Sequence, residues 1–179
     1  MGCDIHFYVE AWDDNAKRWV SQDTVSKAEG EFQLYEQFGD YCFRGRGDIP
    51  THWYMQRNYL LFSVLANVRN DEGNPIPFIT DQRGMPDDLS PEMQELYDPD
   101  CTDLHSHTWM TLKEVLDWPH WNKPLGQKIA KYEGGKIVDE KQRKTIREWC
   151  SSFWDVSIRK MKKLRKDPAD VRLLMWFDN

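Results

Sequence analysis

The sequence lacks the short motifs that mark the common cofactor and catalytic sites. It contains no Walker loop, no GxGxxG dinucleotide fingerprint and no GxSxG nucleophile elbow. Its four cysteines, Cys3, Cys42, Cys101 and Cys150, form no CxxC pair, which argues against a zinc finger or ribbon. No apolar run approaches membrane-spanning length, so we expect no membrane partner.

Positive charge is also in deficit, because the formal net charge is −6. This balance removes the general electrostatic footprint of a duplex DNA binder, so we expect no duplex nucleic acid partner. The 179 residues, with 40% apolar and 13% aromatic residues including nine Trp, indicate one globular domain spanning 1–179. No signal peptide precedes the first strand-like run, and a chain of this size needs no disulfides. We therefore expect reduced thiols and a cytoplasmic protein.

The changes of hydrophobic period predict an α+β fold. Residues 4–12 and 17–22 alternate as two strands of a hairpin, and residues 171–177 read as a final strand. Apolar residues recur at helical spacing over 55–69 and again over about 140–165. We expect a single domain in which one mainly antiparallel sheet joins the N- and C-terminal strands, with these two main helices packed on it.

The remaining segments predict shorter elements and long surface loops. Residues 23–52 have scattered glycines and no sustained period, which is typical of a long surface excursion. Ser90-Pro91 predicts a short helix to about Leu96, and Thr111 with Glu114 predicts a capping box that opens a helix through Trp118. Residues 128–139 flank two glycines and read as a second hairpin.

Two pairs of ionisable side chains at i, i+2 spacing attract attention: Asp4 with His6, and His105 with His107. In an extended strand this spacing points both side chains of a pair to one face, so each pair predicts a polar fork. Together the forks could hold Zn, Mn or Fe, since carboxylate and imidazole are ordinary metal ligands. The order DxH and then HxH is similar to calcineurin-like metallophosphoesterases, but the GD and GNH[DE] motifs of that family are absent. The alternative is that the histidines only cap and hydrogen-bond loops.

Arginines offer a second interpretation of the same pocket. Arg57 and Arg69 flank the first long helix and Arg83 lies in a glycine loop, so their guanidinium groups could converge on phosphate oxygens. Tyr59 and Trp109 could stack on a base. Pairing of these arginines with carboxylates, and a core position for Trp109, are the plain alternatives. The predicted ligand-binding residues are Asp4, His6, Arg57, Asn58, Tyr59, Arg69, Arg83, His105, His107 and Trp109.

Five blocks of sequence also carry a family resemblance. They are MGCDIHFYVE at the start, RNYLLFSVLANVRN at 57–70, RGMPDDLS at 83–90, HSHTWMTLKE at 105–114 and VRLLMWFDN at the end. In these blocks the chain resembles a widespread family of small bacteriophage and prophage proteins. The resemblance implies a shared origin and fold, and it transfers no catalytic residue.

We therefore expect a phage-type accessory protein of the bacterial cytoplasm that sequesters a small anionic ligand. A nucleotide or a nucleotide-derived immune signal fits the arginines and aromatics, and would make the protein an anti-defence factor. One alternative is a metal-dependent phosphodiester hydrolase that uses Asp4, His6, His105 and His107. A second is an inhibitor that binds a host protein through its aromatic surface. The sequence leaves a homo-oligomer open.

Overall fold

The computed structural model shows a single α+β domain and describes residues 2–23, 26–27, 48–49, 53–54, 56–70, 75–133 and 136–178. The strands are β1 (Asp4–Asp13), β2 (Arg18–Ser21), β3 (Ser26–Lys27), β4 (Asp48–Ile49), β5 (Leu104–Thr111), β6 (Pro124–Glu133), β7 (Lys136–Thr145) and β8 (Val171–Asp178). The α-helices are α1 (Tyr59–Ala66), α2 (Pro91–Leu96), α3 (Leu112–Asp117), α4 (Ile146–Trp149) and α5 (Arg159–Met161), with a π-helix at Phe153–Ile158 and a 3₁₀ turn at Pro168–Asp170.

The central sheet has the strand order β2-β1-β8-β5, and every neighbouring pair is antiparallel. β8 lies in the middle, with β1 on one side and β5 on the other. Its register with β1 places Asp178 opposite Asp4 and Val171 opposite Ala11. The N- and C-terminal strands thus pair along their length, and the predicted fold class is confirmed.

Strand alternation gives this sheet two different faces. Odd-numbered residues of β1 and β8, such as Phe7 and Leu173, lie on a core face, against which α1, α3 and the helical segment 146–161 pack. Even-numbered residues such as Tyr8 and Trp176 lie on the opposite face, which we call the aromatic face, and Met93 of α2 packs there. Because side chains are buried on both sides of β8, this strand is mostly apolar rather than alternating, and Arg172 is the one charged residue within its apolar stretch from Val171 to Phe177.

Side-chain caps define where the short helices begin. Asn58 accepts a hydrogen bond from the Leu61 amide at 3.1 Å, so α1 begins at Tyr59 rather than at residue 55. The predicted capping box of Thr111 and Glu114 is present at the start of α3.

The predicted helix over 140–165 begins too early and was wrong in its first turn and a half. Residues 140–145 belong to β7, and a second capping box, formed by Thr145 and Glu148, starts the helical segment at Ile146. The predicted hairpin at 128–139 is present and longer than expected, because β6 and β7 pair from Pro124–Thr145 to Glu133–Lys136. We call this two-stranded sheet the ribbon.

Two further expectations concern the cysteines and the long excursion. Cys3 and Cys150 are free thiols, but Cys101 is disulfide-bonded, so the expectation of reduced thiols throughout was wrong. None of the described helices is long and apolar enough to span a membrane. Most of the predicted excursion over 23–52 lies outside the described residues, apart from the short pairing of β3 with β4.

Candidate functional site

A β-bulge in β5 separates the two histidines of the predicted second fork. His105 lies opposite Phe177 and Thr108 opposite Met175, so three steps along β5 match two steps along β8. Ser106 sits in the bulge with φ of 57°, a left-handed conformation. The extra residue reverses the alternation, so His105 shares the core-face side of Phe177 whereas His107 lies on the aromatic face. The prediction that His105 and His107 point to one face was wrong.

The two imidazoles consequently have different surroundings. His105 stacks on Phe177 with ring centroids 6.2 Å apart, and its Nδ1 hydrogen-bonds the Ser106 hydroxyl at 2.8 Å. His107 contacts Tyr97 edge-on at 5.3 Å and Trp176 at 6.4 Å. Burial, and to a smaller extent the neighbouring His105, lowers the pKa of His107. Neither Nε2 atom has a hydrogen-bond partner among the residues that the structure describes.

The first fork forms as predicted, on the aromatic face where β1 begins and β8 ends. Asp4 pairs with Arg57, whose Nε donates to Oδ1 at 2.8 Å and whose Nη2 contacts Oδ2. His6 donates from Nε2 to Asp178 Oδ2 at 3.2 Å, and the Asp4 amide donates to Asp178 Oδ1 at 2.9 Å. The His6 hydrogen bond is the main cause that holds the pKa of Asp178 below its ordinary value. We call Asp4, His6, Arg57 and Asp178 the terminal corner.

The structure does not gather the four residues of the metal alternative. Asp4 is engaged by Arg57, His6 by Asp178, and the bulge turns His105 to the other face. Within the described parts of the chain, no group of three or more His, Cys, Asp or Glu side chains could hold a metal ion.

Arg69 and Tyr59 line a cavity beside α1. The Arg69 guanidinium lies over the Tyr59 ring at 6.0 Å from its centroid. Arg69 also lies near Cys3: burial raises the pKa of the Cys3 thiol, and the Arg69 guanidinium opposes that rise. The cavity has a volume of about 250 Å³. Its lining residues, which define the α1 cavity, are Tyr59, Leu60, Ser63, Arg69, Asn70, Ile76, Leu125, Gly126 and Gln127.

Asn58 takes a structural position next to this cavity. Its carbonyl oxygen caps α1, and its amide nitrogen donates to the Trp149 carbonyl at 3.1 Å. With both ends of the amide engaged, Asn58 ties α1 to the end of α4 and does not line the cavity.

Arg83 and Trp109 form a separate group beyond β5. The Arg83 guanidinium lies 5.1 Å from the Trp109 ring centroid and pairs with Glu114 at 2.8 Å, while its Nε donates to the Thr80 hydroxyl at 2.9 Å. Neither residue lines the α1 cavity. The expected convergence of three arginines on one pocket is therefore reduced to Arg69, with Arg57 in the adjoining corner.

A buried ion-pair network on the aromatic face is a feature that we did not predict. Arg172 donates from Nε to Glu10 at 2.6 Å and from Nη1 to Asp88 at 2.6 Å, and it lies 4.2 Å from the Trp19 ring centroid. Glu10 also accepts from the Ser90 amide at 2.7 Å, so the network fixes the loop before α2 on the sheet. The sequence alone did not show this pairing, because it depends on the register of β1 with β8, which aligns Glu10 with Arg172. The same register places Asp178 opposite Asp4 of the first fork.

No protein-family model, no curated protein and no solved structure matches the chain. Because no relative indicates a function, the function is inferred from the described residues of the α1 cavity and the terminal corner.

Proposed function

We propose that this protein binds a small anionic ligand in the α1 cavity. The observation that carries the proposal is the placement of the Arg69 guanidinium over the Tyr59 ring at the wall of this cavity. A guanidinium supplies a fixed fork of donors for phosphate or carboxylate oxygens, and an aromatic face accepts any nucleobase. Arg69 is the primary cation and Tyr59 the stacking surface.

The cavity limits the size of the ligand. Its volume of about 250 Å³ lies just below the roughly 300–1,000 Å³ typical of small-molecule pockets. A mononucleotide or a smaller anion fits this space better than a dinucleotide does. The cavity volume therefore favours mononucleotides and smaller anions over the dinucleotides that the sequence also allowed.

The residues of the terminal corner do not line the cavity. Arg57 is bound to Asp4 through two of its nitrogens, which raises the pKa of Arg57. His6, His105, His107, Arg83 and Trp109 do not line the cavity and act, in this proposal, as structural residues.

We further propose that the ligand is nucleotide-like and that binding sequesters it, as an anti-defence factor of phage type would. This step rests on the family resemblance and on the pairing of an arginine with a tyrosine. The bacterial cytoplasm is the proposed location.

Calorimetric titration with AMP, GMP, ADP-ribose and a cyclic dinucleotide tests the proposal. We expect AMP or GMP to bind and to be recovered intact from heat-denatured protein. Because a hydrogen bond to a charged group contributes about 1.5–3 kcal/mol, Arg69→Gln should weaken binding about 10- to 100-fold, and loss of stacking in Tyr59→Ala should act similarly. Both side chains are exposed, so these changes spare the core.

Arg83→Gln is the matched control, since it removes the same charge from a site outside the cavity. Failure of the whole panel to bind, or equal weakening by Arg83→Gln, would refute the cavity assignment. Turnover products instead of intact nucleotide would favour the hydrolase alternative, which no described metal cluster supports at present.

A further inference from the structure

The charges of this acidic chain are unevenly distributed. Residues 123–166 contain 14 of the 24 Lys and Arg residues but only 5 of the 30 Asp and Glu residues, a net charge of +9. The rest of the chain then carries 10 basic and 25 acidic residues, a net charge of −15. The total of −6 therefore conceals a strongly basic segment, and such an asymmetry is typical of proteins that bind polyanions.

The basic end of the helical segment concentrates exposed cations without acidic partners. We call this group the basic helix end; it consists of Arg159, Lys160, Lys162, Lys163 and Lys166. All five side chains are exposed, and none makes an ion pair with any residue in the described parts of the chain. By contrast, Arg57, Arg83, Lys113, Arg165 and Arg172 all have carboxylate partners.

This end of the helical segment has one buried side and one charged side. Ile158 and Met161 are 1% and 0% exposed and pack in the core. The five cations occupy the positions around them that face solvent. The charge is therefore displayed toward solvent.

The ribbon continues the basic segment along β7. Lys141, Arg143 and Lys144 are exposed on β7. Ten residues per strand make the ribbon about 34 Å long, and a two-stranded ribbon of this kind fits the major groove of B-DNA.

We propose that the basic helix end, together with the exposed cations Lys141, Arg143 and Lys144 of β7, binds duplex nucleic acid through its phosphates. A single strand is a poorer fit, because Tyr59 and Val156 are the exposed large hydrophobic residues among those described, so the described part of this segment shows no aromatic stacking surface.

A protein partner would require an apolar interface core, and a membrane would require an apolar helix face. Among the residues of this segment whose exposure is described, Val156 alone supplies neither. We expected no duplex partner because the net charge of the whole chain is negative. That total hides the positive charge of residues 123–166.

The salt dependence of binding gives a quantitative test. Five phosphate contacts from the basic helix end predict a slope of about −4.5 in log K against log salt. Affinity for a 30-bp duplex of arbitrary sequence, measured by fluorescence anisotropy, should thus fall about 500-fold between 50 and 200 mM KCl. The triple variant Lys160→Gln, Lys162→Gln, Lys163→Gln should reduce the slope by about 2.7 units.

The matched control is the triple variant Lys17→Gln, Arg18→Gln, Lys113→Gln. It removes three exposed cations that lie outside residues 123–166, so the two triple variants have the same total net charge. It should leave the slope within about 0.5 unit of the parent, since each lost phosphate contact changes the slope by about 0.9. Circular dichroism confirms that both variants are folded. Equal slopes in the two triples would overturn the proposal, as would no duplex binding at 50 mM KCl. Binding of polyglutamate or of anionic phosphatidylglycerol vesicles, with none to the duplex, would overturn it as well.

Discussion

Removing the Glu10 carboxylate should lower the free energy of unfolding more than the removal of any exposed carboxylate does. Glu10 is 0% exposed and Arg172 is 1% exposed, and their side chains are joined at 2.6 Å. In Glu10→Ala the Arg172 charge loses a buried partner and the Ser90 amide loses its acceptor. Breaking one side of a buried pair costs about 3–5 kcal/mol. Asp88 still contacts Arg172, but 65% of its side chain is exposed, so it compensates only in part.

Urea denaturation followed by tryptophan fluorescence measures this cost. With an m-value of about 2 kcal/mol/M, the midpoint should fall by about 2 M. Asp117→Asn is the control, because it breaks an exposed pair with Lys113 that contributes about 0–1 kcal/mol. The double variant Glu10→Leu, Arg172→Met should recover most of the loss, since apolar side chains of similar volume replace buried ion pairs at little cost.

Two results would refute this reasoning. One is a midpoint shift for Glu10→Ala no larger than that for Asp117→Asn. The other is a double variant as unstable as the sum of its single changes, which would mean that packing rather than an uncompensated charge sets the cost.

Three further changes test other parts of the structure. Burial raises the pKa of the Asp23 carboxyl to about 7. Between about pH 4 and 7 the folded state therefore keeps a proton that the unfolded chain releases. The free energy of unfolding should fall over this range as pH rises and then level off. Asp23→Asn should flatten that profile in urea titrations, and an unchanged profile would argue against a protonated Asp23. Ser106→Gly should be tolerated at the left-handed bulge position whereas Ser106→Val should lower stability by about 1–2 kcal/mol, and equal thermal melting temperatures would contradict the bulge. Alkylation of the denatured, unreduced protein followed by peptide mapping should label Cys3 and Cys150 but not Cys101, whereas labelling of Cys101 would show that it is reduced.

The sheet was predictable because its signals are local and repetitive. Alternation over residues 4–12 defines β1, and an apolar run at 171–177 defines β8, the strand that pairs with it. The capping box at Thr111 was predictable for the same reason, since it needs only two residues three positions apart. By contrast, the first turn and a half of the predicted 140–165 helix was lost to β7, because the ribbon register extends to Thr145. The local signal for the true helix start at Ile146 is the second capping box, formed by Thr145 and Glu148.

The positions of the site histidines were less predictable because they depend on a single β-bulge at Ser106. A bulge normally signals itself by glycine or asparagine at the left-handed position, and Ser106 is neither. Without that signal, i, i+2 spacing placed His105 and His107 together, although the bulge sets them on opposite faces. The arginine partners were equally hidden: Arg57, Arg83 and Arg172 are distinguished by which carboxylate each contacts, and sequence distance does not show that.

The two proposed sites share a structural element, and this links them. Leu125, Gly126 and Gln127 line the α1 cavity and also belong to β6, so the base of the ribbon forms one wall of the ligand site. An isolated two-stranded ribbon is marginally stable by itself, so a ligand that fixes its base lowers the cost of ordering it on a duplex. Linkage then requires the duplex to raise ligand affinity by the same factor. If the duplex leaves ligand affinity unchanged and the ligand leaves duplex affinity unchanged, the two sites are not coupled and merely lie side by side.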